Sequence, residues 1–169
     1  SVRIGQKIGQ EKFKSFLKII GVLGAIDFDI QEVGKPHIIN WGKCKLATAS
    51  YGHGITTTLL QIAKGYSIVT NGGYDIKPTI IQKKVVEKYS RKKLLNIGVS
   101  DKINKILRKI VTNKEGTANL ANVKGYDVGG KTGTAQISKN GRYTRDKINT
   151  FAAVFPTKKP KYTLVVMLD

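Results

Sequence analysis

Apolar residues recur at intervals of three and four in three stretches, the spacing that gathers side chains on one face of a helix. The first stretch covers residues 1–24, the second runs from about 56 to 70, and the third from about 100 to 111. We therefore predict three helices. Their apolar positions are Ile4, Ile8, Phe13, Phe16, Leu17 and Ile20; Leu59, Leu60, Ile62, Ala63 and Tyr66; and Ile103, Ile106, Leu107, Ile110 and Val111.

The ends of these helices carry capping and stop residues. Gly21 and Gly24 end the first helix, and Gly116 closes the third. Threonine hydroxyls at 56–58 can accept hydrogen bonds from the free N–H groups of the second helix, and Asn71-Gly72-Gly73 follows it as a stop. Ser100 is the expected cap of the third helix.

The remaining segments have the pattern of strands and loops. Residues 25–45 show no sustained period and are predicted to be loop, whereas 74–98 are predicted to be extended, with a turn near residues 89–91. In the last third, the apolar runs 150–155 and 162–168 flank a segment rich in proline and lysine, which predicts a hairpin. A polar loop around Asn140-Gly141 is expected before that hairpin.

Composition adds a strong positive charge. The chain of 169 residues has 30 Lys and Arg against 11 Asp and Glu, a formal net charge of +19. Such a charge favours an anionic partner, although lysine enrichment can equally reflect a compositional bias of the chain. A basic nucleic-acid-binding module therefore stays open as an alternative, but the aromatic residues form no stacking cluster.

Single residues and short runs argue against a disulfide, a metal site and a transmembrane helix in this chain. Cys44 is the only cysteine, so an internal disulfide is excluded. His37 has no second ligand at metal spacing and is interpreted as a surface or loop histidine. No apolar run is long enough for a transmembrane helix. Because the chain opens on Ser1 and closes on the apolar run 164–168, we expect it to be a fragment.

Candidate chemistry concentrates in the stretch Gly129-Gly130-Lys131-Thr132-Gly133-Thr134-Ala135. Gly125-x-x-x-x-Gly130-Lys131-Thr132 matches the letters of a phosphate-binding loop, which would imply a P-loop nucleotide hydrolase. Such a loop must follow a buried strand and open a helix. The tract after Thr132 has no helical apolar face, so the pattern favours a strand.

On a strand bordering a cleft, these residues support a different chemistry. Lys131 supplies positive charge near a nucleophile, the hydroxyls of Thr132 and Thr134 can hold a carboxylate, and a backbone N–H can face a developing oxyanion. Glycine at 133 leaves room for a substrate backbone beside the strand. Alternation predicts that Lys131 and Gly133 share one face and the two threonines the other.

Lys131-Thr132-Gly133 matches the third signature of the penicillin-recognising serine enzymes. The chain as a whole resembles the C-terminal half of the transpeptidase domain of a class B penicillin-binding protein, closest to the cell-division type. The supporting stretches follow the family's order. They are 50–55 (Ser-Tyr-Gly-His-Gly-Ile), 61–63 (Gln-Ile-Ala), 71–73 (Asn-Gly-Gly), 115–118 (Glu-Gly-Thr-Ala) and 125–136.

The chain departs from the family pattern in the other two signatures. Ser15-x-x-Lys18 and Ser90-x-x-Lys93 fit the Ser-x-x-Lys element by letters, but neither is followed by a Ser-x-Asn before Lys131. The only Ser-x-Asn is 138–140, after the third signature. We interpret these as chance matches and expect the nucleophilic serine, its lysine and the second signature to lie upstream of residue 1.

The resemblance implies an α+β fold of the penicillin-binding protein and serine β-lactamase type, an antiparallel sheet flanked by helices, incomplete at its N-terminal side. Residues 1–169 would form the C-terminal part of one transpeptidase domain. It implies Lys131 as a catalytic residue, and Thr132, Gly133 and Thr134 as substrate-binding residues. The 50–54 turn is interpreted as scaffold.

The same resemblance implies an enzyme that cross-links peptidoglycan stem peptides through an acyl-serine and is stalled by β-lactams. No metal or organic cofactor and no nucleic acid are implied. Other division proteins are implied as partners. The implied location is the cell envelope, with an N-terminal anchor in the cytoplasmic membrane and this domain on its outer face.

Overall fold

A computed structural model describes residues 1–30, 34, 41, 44–82, 92–139 and 142–169. Its helices are α1 (Val2–Ile8), α2 (Gln10–Ile19), α3 (Lys45–Ala49), α4 (Leu59–Thr70) and α5 (Ile97–Thr112), with a 3-10 turn at Asn119–Ala121. Its strands are β1 (Gly129–Lys139), β2 (Arg142–Phe155) and β3 (Tyr162–Leu168). They form an antiparallel sheet in the order β1-β2-β3.

The first predicted helix is in fact two. Gly9 has a φ of 83°, which is outside the right-handed helical region, so it ends α1 and precedes α2. The second helix then stops at Ile19, and Gly21 follows with a φ of 79°. The apolar period of 1–24 therefore located the helical region but did not show its break.

The cap predicted for α4 is confirmed. Thr58 is the N-cap, and its hydroxyl accepts from the N–H of Gln61 at 3.2 Å. The Gln61 side chain accepts from the N–H of Thr58 at 2.8 Å and donates to Gly24 O at 2.6 Å. Since Gln61 is completely buried, this capping box also ties the helix to the chain after α2.

The cap predicted for α5 is wrong. Asn96, not Ser100, is the N-cap and accepts from the N–H of Gly98 at 2.8 Å. Ser100 lies inside the helix, where its buried hydroxyl accepts from the N–H of Gly72 at 2.9 Å. α5 ends at Thr112, before Gly116. The expected turn at 89–91 lies outside the described residues, as does His37.

Helices α4 and α5 pack on one face of the sheet. α5 contacts β1, and α4 contacts β2 and β3, with Ser67 Oγ donating to Thr163 Oγ1 at 3.0 Å. The core between these layers is aliphatic and includes Ile68, Leu107, Val111, Ala152 and Val154, each less than a tenth exposed. The predicted hairpin of 150–155 with 162–168 is confirmed, while the polar tract before it is largely strand.

Candidate active site

Lys131, Thr132, Gly133 and Thr134 lie on β1, in register with β2. Lys131 pairs with Ala152, Thr132 with Phe151 and Thr134 with Asn149. No helix follows Thr132, because strand β1 continues to Lys139. The phosphate-binding-loop interpretation is therefore wrong: its backbone N–H groups would have to open a helix, and here they belong to a sheet.

Strand β1 is an edge strand of the described sheet. Within the part of the chain that the structure describes, it pairs with β2 on one side and has no partner strand on the other. An unpaired strand edge presents backbone donors and acceptors on which an extended peptide can add. The position of the Lys-Thr-Gly stretch thus offers both backbone pairing and side-chain contacts to an extended ligand.

The lysine amine comes close to the threonine beside it. Register places Lys131 on the sheet face of Ala152 and Thr132 on the face of Phe151. Even so, Lys131 Nζ donates to Thr132 O at 2.6 Å and lies 3.3 Å from Thr132 Oγ1. Because the lysine side chain is long and Lys131 lies exposed on an edge strand, its amine can reach past the strand edge to Thr132. Alternation of side chains along the strand therefore does not separate the Lys131 amine from the Thr132 hydroxyl. The Lys131 amine and the Thr132 hydroxyl therefore lie close enough to contact the same ligand atom.

The two threonines line a shallow cavity of about 340 Å³ over the face of β1 and β2. Thr134 Oγ1 donates to Asn149 Oδ1 at 3.0 Å across the strand pair. Asn149 was not predicted from the sequence; only the strand register could have shown it. The other lining residues are Thr117, Gly133, Thr150, Phe151, Val166 and Leu168.

The start of β1 is packed too tightly for side chains. A Cβ on Gly129 would lie 2.5 Å from Thr157 Cγ2 and 3.0 Å from the backbone N of Arg108. A Cβ on Gly130 would lie 2.6 Å from Phe151 Cζ. Gly133 is different, since a Cβ there would come no nearer than 4.0 Å to Thr150 O. The strand is thus anchored before Lys131 and open after it.

An ion pair fixes the segment that leads into β1. Arg108 Nε on α5 lies 3.1 Å from Asp127 Oδ1, and Arg108 Nη1 donates to Val128 O at 2.8 Å. Asp127 Oδ2 accepts from Thr157 Oγ1 at 2.7 Å and from the N–H of Lys158 at 3.2 Å. Burial by itself raises the pKa of Asp127, but these hydrogen bonds and the charge of Arg108 outweigh it and lower the pKa.

The residues of the two Ser-x-x-Lys matches and of the 50–54 turn lie outside strand β1. Ser15 and Lys18 are exposed on α2, and Ser90 lies outside the described residues. The 50–54 turn follows α3 and is held by a hydrogen bond from Lys45 Nζ to Gly54 O. Among the described ranges there is no group of three potential metal-ligating side chains, and no helix there has the length and apolar content to cross a bilayer.

The family model of the penicillin-binding protein transpeptidase domain matches residues 1–169. The chain belongs to this family. The Lys131-Thr132-Gly133 stretch, which matches the family's third signature by its letters, lies on strand β1. The P-loop hydrolase and the nucleic-acid-binding module receive no support from the match.

Named relatives agree with this membership. The chain is 35% identical over 130 residues to the probable peptidoglycan D,D-transpeptidase PenA of Neisseria flavescens, covering 76% of this chain and 32% of that protein. It is 32% identical over 182 residues to the stage V sporulation protein D of Bacillus subtilis, covering 99% of this chain and 28% of the relative. The chain thus spans about a third of the length of these relatives.

The fold also matches a solved structure. Penicillin-binding protein 3 of Mycobacterium tuberculosis, in complex with ampicillin, superposes with a TM-score of 0.88 at 26% identity, over 99% of this chain and 41% of that one. The predicted α+β transpeptidase fold is therefore confirmed.

Proposed function

We propose that this chain forms one wall of the active site of a serine D,D-transpeptidase that cross-links peptidoglycan stem peptides in cell-wall synthesis and division. The observation that carries the proposal is the Lys131–Thr134 stretch on a strand edge that has no partner among the described residues, within a chain whose whole length matches the transpeptidase family. The relatives named as D,D-transpeptidases support the reaction class.

In this mechanism, a serine from a part of the protein outside residues 1–169 attacks the carbonyl carbon of the penultimate D-alanine. The peptide bond breaks, the terminal D-alanine leaves with the proton taken from the serine, and an acyl-serine forms. The amine of a second stem peptide then attacks that ester, which releases the serine and completes the cross-link. A β-lactam enters the same first step but has no leaving group that departs, so the acyl-enzyme persists.

Residues of β1 supply the surroundings of this chemistry. Lys131 lowers the cost of the negative charge that develops as the serine loses its proton and supports its transfer. The hydroxyls of Thr132 and Thr134 bind the substrate carboxylate, and the Thr134 N–H stabilises the oxyanion. Gly133 lets the substrate backbone approach, which agrees with the open space around its Cα.

We further infer the setting of the enzyme from the family. The protein would act in the cell envelope, on the outer face of the cytoplasmic membrane, anchored through a segment outside this chain. Other division proteins would be its partners, and β-lactams its inhibitors. The net charge of +19 suits a surface rich in anionic lipids or wall polymers.

Labelling with a fluorescent penicillin tests this proposal. The full-length protein should become covalently labelled, and Lys131→Ala should reduce the second-order rate of labelling by at least about a hundredfold, because the serine loses its electrostatic support. Lys161→Ala, an exposed lysine in the β2–β3 turn, is the matched control and should label normally. Equal labelling of Lys131→Ala and the unmodified protein would rule out the role given to Lys131.

The same assay locates the nucleophile. Ser15→Ala should label like the unmodified protein, since Ser15 is interpreted as a chance match on α2. Loss of the label in this variant, with the fold intact, would show that the nucleophile lies within these residues.

A further inference from the structure

We propose that Asp127 is a positioning residue of this active site: through contacts with Arg108 and Thr157 it sets where β1 presents Lys131. We call Arg108, Asp127 and Thr157 the Asp127 clamp. The inference rests on the proposed function, and it concerns a residue that precedes the Lys-Thr-Gly signature and makes no contact with it.

The clamp joins three separate elements at one carboxylate. Arg108 comes from α5, Asp127 from the segment that enters β1, and Thr157 from the turn between β2 and β3. One carboxylate oxygen faces Arg108 Nε at 3.1 Å, and the other accepts from Thr157 Oγ1 at 2.7 Å and the Lys158 N–H at 3.2 Å. The side chains of Arg108 and Asp127 are both under a third exposed, so solvent screens this charge pair less than a surface pair.

Hydrogen bonds to backbone carbonyl groups connect the same three elements. The N–H of Thr157 donates to Asp127 O at 2.9 Å, and Arg108 Nη1 donates to Val128 O at 2.8 Å. Directly after these contacts, Gly129 lies against the backbone of Arg108, with no room for a Cβ. The entry to β1 is therefore held by polar contacts at 127–128 and by close packing at 129–130.

Movement at the clamp must reach Lys131. Only Val128, Gly129 and Gly130 separate Asp127 from Lys131, a distance of about 13 Å along an extended chain. Gly129 and Gly130 are buried on opposite faces of the strand, so they cannot absorb a shift by a local side-chain rearrangement. From Gly133 to Gln136 β1 is exposed, and its position there depends on pairing with β2 and on how the strand enters the sheet.

The clamp is separable from formation of the sheet itself. Pairing of β1 with β2 begins at Gly129, so the ladder can form without the Asp127 side chain. The Asp127 carboxylate instead fixes the position of the paired strands β1 and β2 relative to α5. Catalytic groups lose activity steeply when displaced by about 1 Å, and we therefore expect the clamp to affect the acylation step more than the amount of folded protein.

The experiment measures penicillin acylation of the full-length protein over a range of penicillin concentrations, which separates the apparent affinity from the limiting acylation rate. Asp127→Asn keeps the side-chain shape and removes the charge. Its limiting rate should fall about tenfold or more, with a smaller change in apparent affinity. Thr157→Val should lower the rate in the same direction, and Thr157→Ser, which restores the hydroxyl, should recover it.

Asp75→Asn is the matched control. Asp75 forms an ion pair with Lys64 of α4 at 3.6 Å, with side chains 43% and 18% exposed, and it does not contact β1. This variant removes the same charge and should acylate at the normal rate. A slower rate in both Asp127→Asn and Asp75→Asn would indicate a general effect of charge and overturn the inference.

Two further outcomes distinguish the inference from the proposed function. If Asp127→Asn reduces only the fraction of protein that labels, while the labelled fraction reacts at the normal rate, the clamp is merely structural and the inference fails. If Lys131→Ala abolishes labelling and Asp127→Asn changes nothing, the inference fails and the proposed function stands. If neither variant affects labelling, the role proposed for Lys131 fails together with the inference; if the unmodified full-length protein does not label at all, the proposed function itself fails.

Discussion

The two halves of β1 differ in how they are held. Its first residues, Gly129 and Gly130, are buried between α5 and Phe151, where neither position has room for a Cβ. From Gly133 to Gln136 the strand is exposed. Pairing of β2 with β3 stops at Asn149 and Leu168, so β1 and β2 continue beyond it as a two-stranded ribbon with an irregularity between Gln136 and Ser138.

Lys131 and Thr132 lie at the junction of these halves, and Thr134 lies just beyond it in the exposed half. A site placed entirely in the packed half could not admit a ligand, and one placed in the ribbon would lack support from the helices. At the junction, the strand is positioned from one side and accessible from the other. Under the proposed function, this arrangement lets a single edge strand offer preorganised groups and still pair with an extended substrate.

Glycine substitutions should separate the halves most strongly. Gly129→Ala forces a methyl group to within 2.5 Å of Thr157 Cγ2 and 3.0 Å of the backbone N of Arg108 in α5, so it should lower the free energy of unfolding by about 2–3 kcal/mol. Gly133→Ala, with no atom nearer than 4.0 Å, should change stability by less than about 0.5 kcal/mol. Urea denaturation measures both.

The same two variants should rank in the opposite order when penicillin acylation is measured instead of stability. Gly133→Ala should slow penicillin acylation because its methyl group occupies the space proposed for the ligand. Folded Gly129→Ala, compared at a temperature where it remains native, should slow it only through displacement of the strand. Equal stability losses at 129 and 133 would contradict the division of β1 into a packed and an open half.

Removing a single hydroxyl in the open half should have a smaller effect. Thr134→Val keeps the shape of the side chain but loses the proposed carboxylate contact, and we expect the apparent affinity for penicillin to fall about tenfold. Stability should hardly change, since the hydrogen bond to Asn149 is exposed. Thr163→Val, on β3 and facing α4, is the comparison variant: it should lose stability and retain penicillin affinity.

Acid should weaken the packed half by a small amount. The pKa of Asp127 is below its ordinary value of 3.8, so the unfolded chain takes up protons before the folded one as pH falls. Its stabilising contribution is therefore complete above the unfolded pKa and is lost as pH falls through the folded pKa. The stability difference between the unmodified protein and Asp127→Asn should be about 1 kcal/mol from pH 5 to 7 and should shrink below pH 4.

Urea denaturation at a series of pH values checks this expectation. Asp29→Asn is the control, because the pKa of Asp29 is also lowered, first by the hydrogen bond from the Thr79 hydroxyl and then by the N–H of Ile80. Asp29 does not contact β1, so its effect should add to that of Asp127. A difference for Asp127→Asn that stayed constant down to pH 2 would show that the pKa of Asp127 is the same in the folded and unfolded chains, and would contradict the lowered pKa.

Local sequence patterns predicted the presence of helices better than the residues at which the helices begin and end. The spacing of apolar residues found α4 and α5, and the threonines before α4 correctly indicated its cap. It missed the break at Gly9, because an apolar period can continue through a single residue of positive φ. It also placed the cap of α5 at Ser100, because Asn96 and Ser100 are both good caps by composition and only packing against Gly72 shows which one is inside the helix.

The sequence by itself determined the family signature and the strand. Three glycines around Lys131 and two threonines are compatible with an edge strand, and the absence of an apolar helical face after Thr132 favoured a strand over a phosphate-binding loop, which the continuation of β1 to Lys139 then excluded. These properties depend on residue types at short spacing, which is information that a linear pattern carries.

The tertiary structure decided which distant residues support that strand. The pairing of Thr134 with Asn149, the contact of Gly129 with α5 and the meeting of Arg108, Asp127 and Thr157 join positions 15 to 49 residues apart. Such contacts follow from the register of β1 and β2 and from the packing of α5 on the sheet, neither of which the local pattern specifies. The groups proposed for the chemistry could be named from the sequence, but the contacts that hold them in place could not.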